Sequence, residues 1–137
     1  MIRPIMKKRS FLQQPSVPAG AGDAAIARDL ADTLDAHRAG CVGMAANMIG
    51  KRKRIIAVVD EDGAILVMLN PEVVRKAGPY IAQEGCLSLT GTREALRYGR
   101  ITVSYADEEM NPHQREFGGS VAQAIQHEID HCDGVLI

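Results

Sequence analysis

Two stretches of the chain carry apolar residues at helical spacing, and the apolar residues between them fall in short runs of strand character. Ile26, Leu30 and Leu34 recur four residues apart after Asp23, which can cap a helix, and Gly40 closes that segment. Near the other end Val121, Ile125, Ile129 and Cys132 form one stripe, while Ala124 lines up beneath His127 on a second face. A helix covered on both sides in this way belongs at the centre of the fold. Ile55–Val59 and Ala64–Leu69, joined by Asp60-Glu61-Asp62-Gly63, read as a hairpin that Asn70-Pro71 ends. Val73-Val74, Tyr80-Ile81 and Ile101-Thr102-Val103-Ser104-Tyr105 read as further short strands, set apart by Gly78-Pro79, Gly91 and Gly99. After a polar turn, Arg115-Glu116-Phe117 leads to Gly118-Gly119, which hands the chain to the last helix. The expected fold is α+β: short antiparallel strands around a central C-terminal helix, with an N-terminal helix outside. Residues 1–22, with three prolines and Ala19-Gly20-Ala21-Gly22, read as an irregular arm.

Length and charge narrow this picture. With 137 residues the chain is expected to form a single domain, 1–137, that buries a substantial core. A formal net charge of −1 gives no long-range field to attract nucleic acid or an anionic membrane. Lys51-Arg52-Lys53-Arg54 is the one basic run, and without interleaved aromatics it reads as a solvated loop. Three cysteines without framework spacing suit a reducing compartment. Pro15 and Pro18 interrupt any signal-peptide core, and no apolar run reaches membrane-spanning length, so a cytoplasmic location is expected.

The chemistry concentrates in Gln126-His127-Glu128-Ile129-Asp130-His131. On a helix, His127 and His131 project from one face a turn apart, where two imidazoles can share a metal ion. Glu128 stands beside that ion without having to ligate it, which suits a general base in an H-E-x-x-H metallohydrolase. Two histidines are too few ligands, and the chain offers Cys41, Cys86, Cys132, His37 and His113 besides. Cys132 continues the apolar stripe and reads as core, as does Cys41, while His37 suits a helix C-terminus. Cys86 lies in Glu84-Gly85-Cys86-Leu87-Ser88, where Gly85 lets the backbone approach closely and the thiolate can turn toward a helix.

Glu-Gly-Cys-Leu-Ser followed by Gln-His-Glu-Ile-Asp-His closely resembles the peptide deformylase family, metalloenzymes that remove the formyl group from the initiator methionine of new bacterial proteins. A third family block, G-x-G-x-A-A-x-Q, is matched in part by Cys41-Val42-Gly43-Met44-Ala45-Ala46-Asn47-Met48. The resemblance implies that Cys86, His127 and His131 hold one divalent metal, leaving a fourth position for water, with Glu128 as proton carrier. It favours Fe(II), although a thiolate with two imidazoles also accepts Zn(II), Ni(II) or Co(II). It further implies that the backbone N–H of Leu87 faces the developing oxyanion, that Gly43 lies where the substrate backbone adds as a strand, and that Arg93 lies near the peptide. The implied partner is the formylated N-terminus of a nascent chain, with the ribosome nearby.

Two positions depart from the family block. Met48 stands where the family has an oxyanion-binding glutamine, and Cys41 stands where the first glycine is usual. Asn47 carries an amide one residue earlier, but successive side chains diverge, so it is not expected to substitute simply. The departures leave open a slow deformylase, an amidase acting on another formyl or acyl amide, or a metal-binding homologue that only binds peptide N-termini.

Overall fold

The computed structural model describes residues 1–137. Five strands, β1 (Gly43–Ala45), β2 (Ile55–Val59), β3 (Ile65–Cys86), β4 (Leu89–Ala106) and β5 (Pro112–Gly118), form one antiparallel sheet in sequence order. Three helices accompany it: α1 (Arg9–Leu12), α2 (Ala24–His37) and α3 (Gly119–Cys132). The run Ile55–Val59 is apolar throughout because the sheet is covered on both faces there. Ile56 and Val58 pack with Val121, Ile125 and Cys132 of α3, whereas Ile55 and Ala57 pack with Leu30 and Leu34 of α2. The α+β arrangement with α3 central and α2 outside is therefore the observed one.

The strands are longer than their sequence pattern implies. Asn70-Pro71 does not end the second strand of the hairpin; β3 continues to Cys86 and pairs with β4 almost throughout. The register shifts between Leu69 and Glu72, and Asn70 adopts a φ of 53°, so Pro71 sits at a bulge where its missing N–H breaks no regular ladder bond. Pro79 is tolerated for a related reason. β2 pairs with β3 only along Ile65–Leu69, so farther along β3 one edge lacks that neighbour and needs no N–H at residue 79. The separate strands expected at Val73-Val74 and Tyr80-Ile81 are thus parts of β3, and Gly91 and Gly99 lie inside β4.

The N-terminal arm is more organised than its composition implies. It includes α1, whose Leu12 is wholly buried, and a 3-10 turn at Ala21–Asp23. Asn70 fixes it to the bulge by accepting from the Ala19 N–H at 2.8 Å and donating to the Ala19 carbonyl at 2.9 Å. Asp23 stands at the N-cap position of α2, but its carboxylate accepts from the Gly20 N–H at 2.8 Å instead of capping the helix. In the basic run, Lys53 and Arg54 pair with Asp23 and Asp133, while Lys51 and Arg52 are exposed.

β1 ends the sheet, so one edge of Gly43–Ala45 has no strand beside it. The Val42 carbonyl accepts from the Val59 N–H at 2.9 Å, on the β2 side. Successive carbonyls of a strand point to opposite sides, which turns the Gly43 carbonyl toward the free edge.

Candidate metal centre and active site

α3 carries His127 and His131 one turn apart, and their Nε2 atoms face each other at 3.0 Å. The turn at residues 87 and 88, between β3 and β4, brings Cys86 to the same place. Ligand atoms of Cys86, His127 and His131 all lie within 4.8 Å of one another. His37 and His113 are engaged elsewhere, with the Thr33 carbonyl and Asp107 respectively.

The environment suits this trio as metal ligands. Burial, partly offset by Glu84, pushes His127 below the ordinary imidazole range, and burial aided by His127 lowers His131 to about 3. Both rings are therefore neutral at physiological pH, the form that ligates. Burial and the nearby Glu128 push the Cys86 thiol up to about 11, so the sulfur needs a cation beside it to become a thiolate. A sulfur and two imidazole nitrogens, converging with no cation side chain among them, fit a divalent transition metal.

Glu84 is the residue that holds this arrangement in place. It lies two residues before Cys86 on β3, on the same face of the strand. Its Oε1 meets Nδ1 of His127 at 2.8 Å, which leaves Nε2 to face the ligand cluster. Arg97 donates to both Glu84 oxygens, through Nη2 at 2.7 Å and Nε at 3.0 Å, and to Asp130 at 2.7 Å. Gln123 donates to Oε2 at 2.8 Å. Burial works against the Glu84 charge, but these donors outweigh it and hold the carboxyl below its usual range. Neither Glu84 nor Arg97 stands out in the sequence for this role. The available signal is their placement, Glu84 one strand period before Cys86 and Arg97 as an arginine inside an otherwise half-buried strand.

A cavity of about 540 Å³ opens onto the cluster. Gly43, Met48, Cys86, Leu87, His127 and Glu128 line it, and His131 stands behind His127. Glu128 is 4% exposed, and its Oε1 has no hydrogen-bond partner. Burial, and then the charge of Glu84, pushes its carboxyl well above the ordinary range. A Cβ at position 43 would lie 3.0 Å from Oε2 of Glu128, a tight contact, so the glycine lets the strand and the carboxyl pack closely. Arg93 is not part of the cavity wall. It lies across the β3–β4 ladder from Glu84 and donates to the Thr90 carbonyl at 3.2 Å.

Both departures from the family block border the cavity. Met48 is 1% exposed and presents an apolar side chain to it. Asn47 is wholly buried but donates to the His131 carbonyl of α3 at 2.9 Å, which directs its amide nitrogen away from the cavity. Cys41 is only in part the core residue that its chemistry suggests, since it packs against the cluster around α2 but stays partly accessible. It is half-buried on the cavity wall, where its thiol donates to the Gly43 carbonyl at 2.9 Å, an acceptor left free at the sheet edge. Cys132 is core, 1% exposed, with its thiol pushed by burial up to about 12.

The fold and its cluster match known proteins along nearly the whole chain. The polypeptide deformylase family model matches residues 3–137. The chain belongs to the peptide deformylase family. A peptide deformylase of Clostridium beijerinckii is 46% identical over 137 residues, covering 100% of both chains. One from Caldanaerobacter subterraneus subsp. tengcongensis is 34% identical over 134 residues, covering 97% of this chain and 80% of its own. Among solved structures, the class I type b peptide deformylase of Acinetobacter baumannii with Met-Ala-Ser bound superposes with a TM-score of 0.86 at 26% identity. That match covers 99% of this chain and 97% of the other. The Thermus thermophilus peptide deformylase gives 0.84 at 33% identity, covering 99% and 83%.

Proposed function

We infer that this chain removes the formyl group from the N-terminal formyl-methionine of nascent polypeptides, releasing formate and a free amine. The observation that supports this reading most strongly is a buried carboxylate, Glu128, beside three converging metal-ligand side chains at the end of a peptide-sized cavity. Cys86, His127 and His131 would hold one divalent ion, whose Lewis acidity lowers the pKa of water and polarises a carbonyl. By family resemblance that ion is Fe(II), with Zn(II), Ni(II) and Co(II) compatible with the same donors.

The protein's own groups divide the remaining work. Glu128 accepts the proton of the attacking water and returns it to the departing amine nitrogen. Its unpartnered Oε1 leaves it free to do both. The Leu87 N–H at the turn after β3 is the proposed oxyanion donor, and the Gly43 edge of β1 the proposed seat of the peptide backbone. Arg93 is proposed to steer the peptide from outside the cavity. A nascent-chain substrate implies work in the cytoplasm, near the ribosome; no helix is long and apolar enough to cross a membrane.

Turnover of formyl-Met-Ala-Ser by metal-loaded protein tests this reading directly. Replacing Glu128 by Gln keeps the shape and removes the base, so kcat should fall by about a hundred- to ten-thousand-fold while bound metal persists. A Glu128→Gln protein that kept most of its kcat would refute the role.

A further inference from the structure

The α3 residues that line the cavity are Ser120, Gln123, Ala124, His127 and Glu128. The cavity therefore extends from the metal-ligand cluster toward the start of α3. The reacting formyl group belongs at the His127 end and the peptide backbone lies along the free edge of β1. The side chain of the first residue then runs along α3, over Ala124, to Gln123 and Ser120. On a helix, Gln123 stands one turn before His127 and Ser120 about another turn before that, on the same face.

This end of the cavity is polar. Ser120 supplies a hydroxyl, and Gln83 of β3 also lines the cavity. One N–H of the Gln123 amide is taken by Glu84 at 2.8 Å, which fixes the group in place. The second N–H has no partner among the hydrogen bonds of Gln123, and its Oε1 is approached only by the Tyr80 hydroxyl at 3.4 Å. A fixed amide with a spare donor is an unusual wall for a thioether, which needs only apolar contact. It suits a side chain of methionine's length that carries a hydrogen-bond acceptor.

We propose that Gln123 and Ser120 make the first side-chain subsite a polar one that accepts methionine sulfoxide as well as methionine, so that the enzyme deformylates chains whose initiator methionine is oxidised. Oxidation converts the apolar thioether into a strong acceptor, and an apolar wall would offer that oxygen no donor. Here Gln123 supplies the donor and Ser120 a second. The proposal rests on the deformylase reading.

Three peptides separate the possibilities: formyl-Met-Ala-Ser, formyl-norleucyl-Ala-Ser and formyl-methionine-sulfoxide-Ala-Ser, each assayed with the metal-loaded enzyme. The sulfoxide peptide should be turned over with kcat/KM within about tenfold of the methionine peptide. Gln123→Leu should lower kcat/KM for the sulfoxide at least about tenfold relative to norleucine, mainly through KM. Ser120→Leu, at an exposed position in the first turn of α3 where folding is not at risk, should shift the ratio the same way. A sulfoxide peptide more than about a hundredfold poorer in the wild type, or a ratio unchanged in both variants, would overturn the subsite. Failure of all three peptides would instead remove the deformylase reading, and this proposal with it.

Discussion

The two walls of the cavity are built on opposite principles. The wall made by α3 and the β3–β4 hairpin is wired: Glu84 accepts from Arg97, Gln123 and His127, and Arg97 continues to Asp130. The facing wall, residues 40–48, which are β1 with the segments before and after it, presents Cys41, Val42, Gly43 and Met48, with no charged side chain. The wired wall fixes the side chains of the candidate ligand cluster through buried hydrogen bonds. The facing wall offers backbone edge and apolar surface, along which a substrate would lie. The two motif blocks that carry the family resemblance, Glu84 to Ser88 and Gln126 to His131, lie on the first wall, and the two departures, Cys41 and Met48, lie on the second, which predicts that substitutions on the two walls fail in different ways.

The largest effect belongs to Glu84. Glu84 and Arg97 are each 5% exposed, so Glu84→Ala leaves a buried guanidinium with only Asp130 and a backbone carbonyl. Breaking such a pair costs about 3–5 kcal/mol of folding stability, and losing the acceptor for His127 should weaken metal binding by about ten- to a hundredfold. Chemical denaturation and competition with a metal chelator would measure the two losses. The acid limb of stability should change as well. A carboxylate held below its unfolded value contributes stability that is present above about pH 4.3 and lost as pH falls through the folded value. Glu84→Gln should flatten that limb. A variant with normal metal affinity and stability would show that the wiring is dispensable.

The next effect lies on the other wall. If Met48 occupies the place of an oxyanion donor, Met48→Gln adds a hydrogen bond made mainly in the transition state. The gain should then appear in kcat more than in KM, worth about 2.7–4 kcal/mol at best. Steady-state kinetics on formyl-Met-Ala-Ser reads it out. An unchanged kcat with metal and fold intact would mean that another donor already serves and that the facing wall takes no part in stabilising charge.

The histidine pair and the central helix were legible because both depend on local spacing: an i, i+4 pair of histidines and a stripe of apolar residues survive any tertiary context, whereas Cys86 was reached only through the family resemblance of its block. The long strands were hidden because proline breaks a strand only where its missing N–H is required, and the bulge at Asn70 and the one-sided pairing of β3 remove that requirement at Pro71 and Pro79, while Gly78, Gly91 and Gly99 keep their N–H and lie within the long strands. The wiring of Glu84 was hidden because its partners come from β4 and α3, and nothing local to residue 84 announces them. Cys41 misled for a similar reason. A small, soft residue usually fills core, but here a free carbonyl at a sheet edge gives its thiol an acceptor.

The smallest predicted effect separates the walls most finely. Asn47 precedes Met48 yet belongs to the wired side, since its Nδ2 donates to the His131 carbonyl at 2.9 Å, and it is wholly buried. Asn47→Ala removes one buried hydrogen bond near the end of α3, where the His131 carbonyl also accepts from the Gly134 N–H at 3.1 Å. The carbonyl therefore keeps a partner, and the loss should be about 1 kcal/mol of stability. Because the amide does not reach the cavity, kcat on formyl-Met-Ala-Ser should stay within about twofold, a difference below half a kcal/mol. A hundredfold fall in kcat at unchanged metal content would identify Asn47 as an oxyanion donor that swings from α3 when substrate binds. That outcome would also explain Met48, since the amide missing at one position would be supplied by its neighbour.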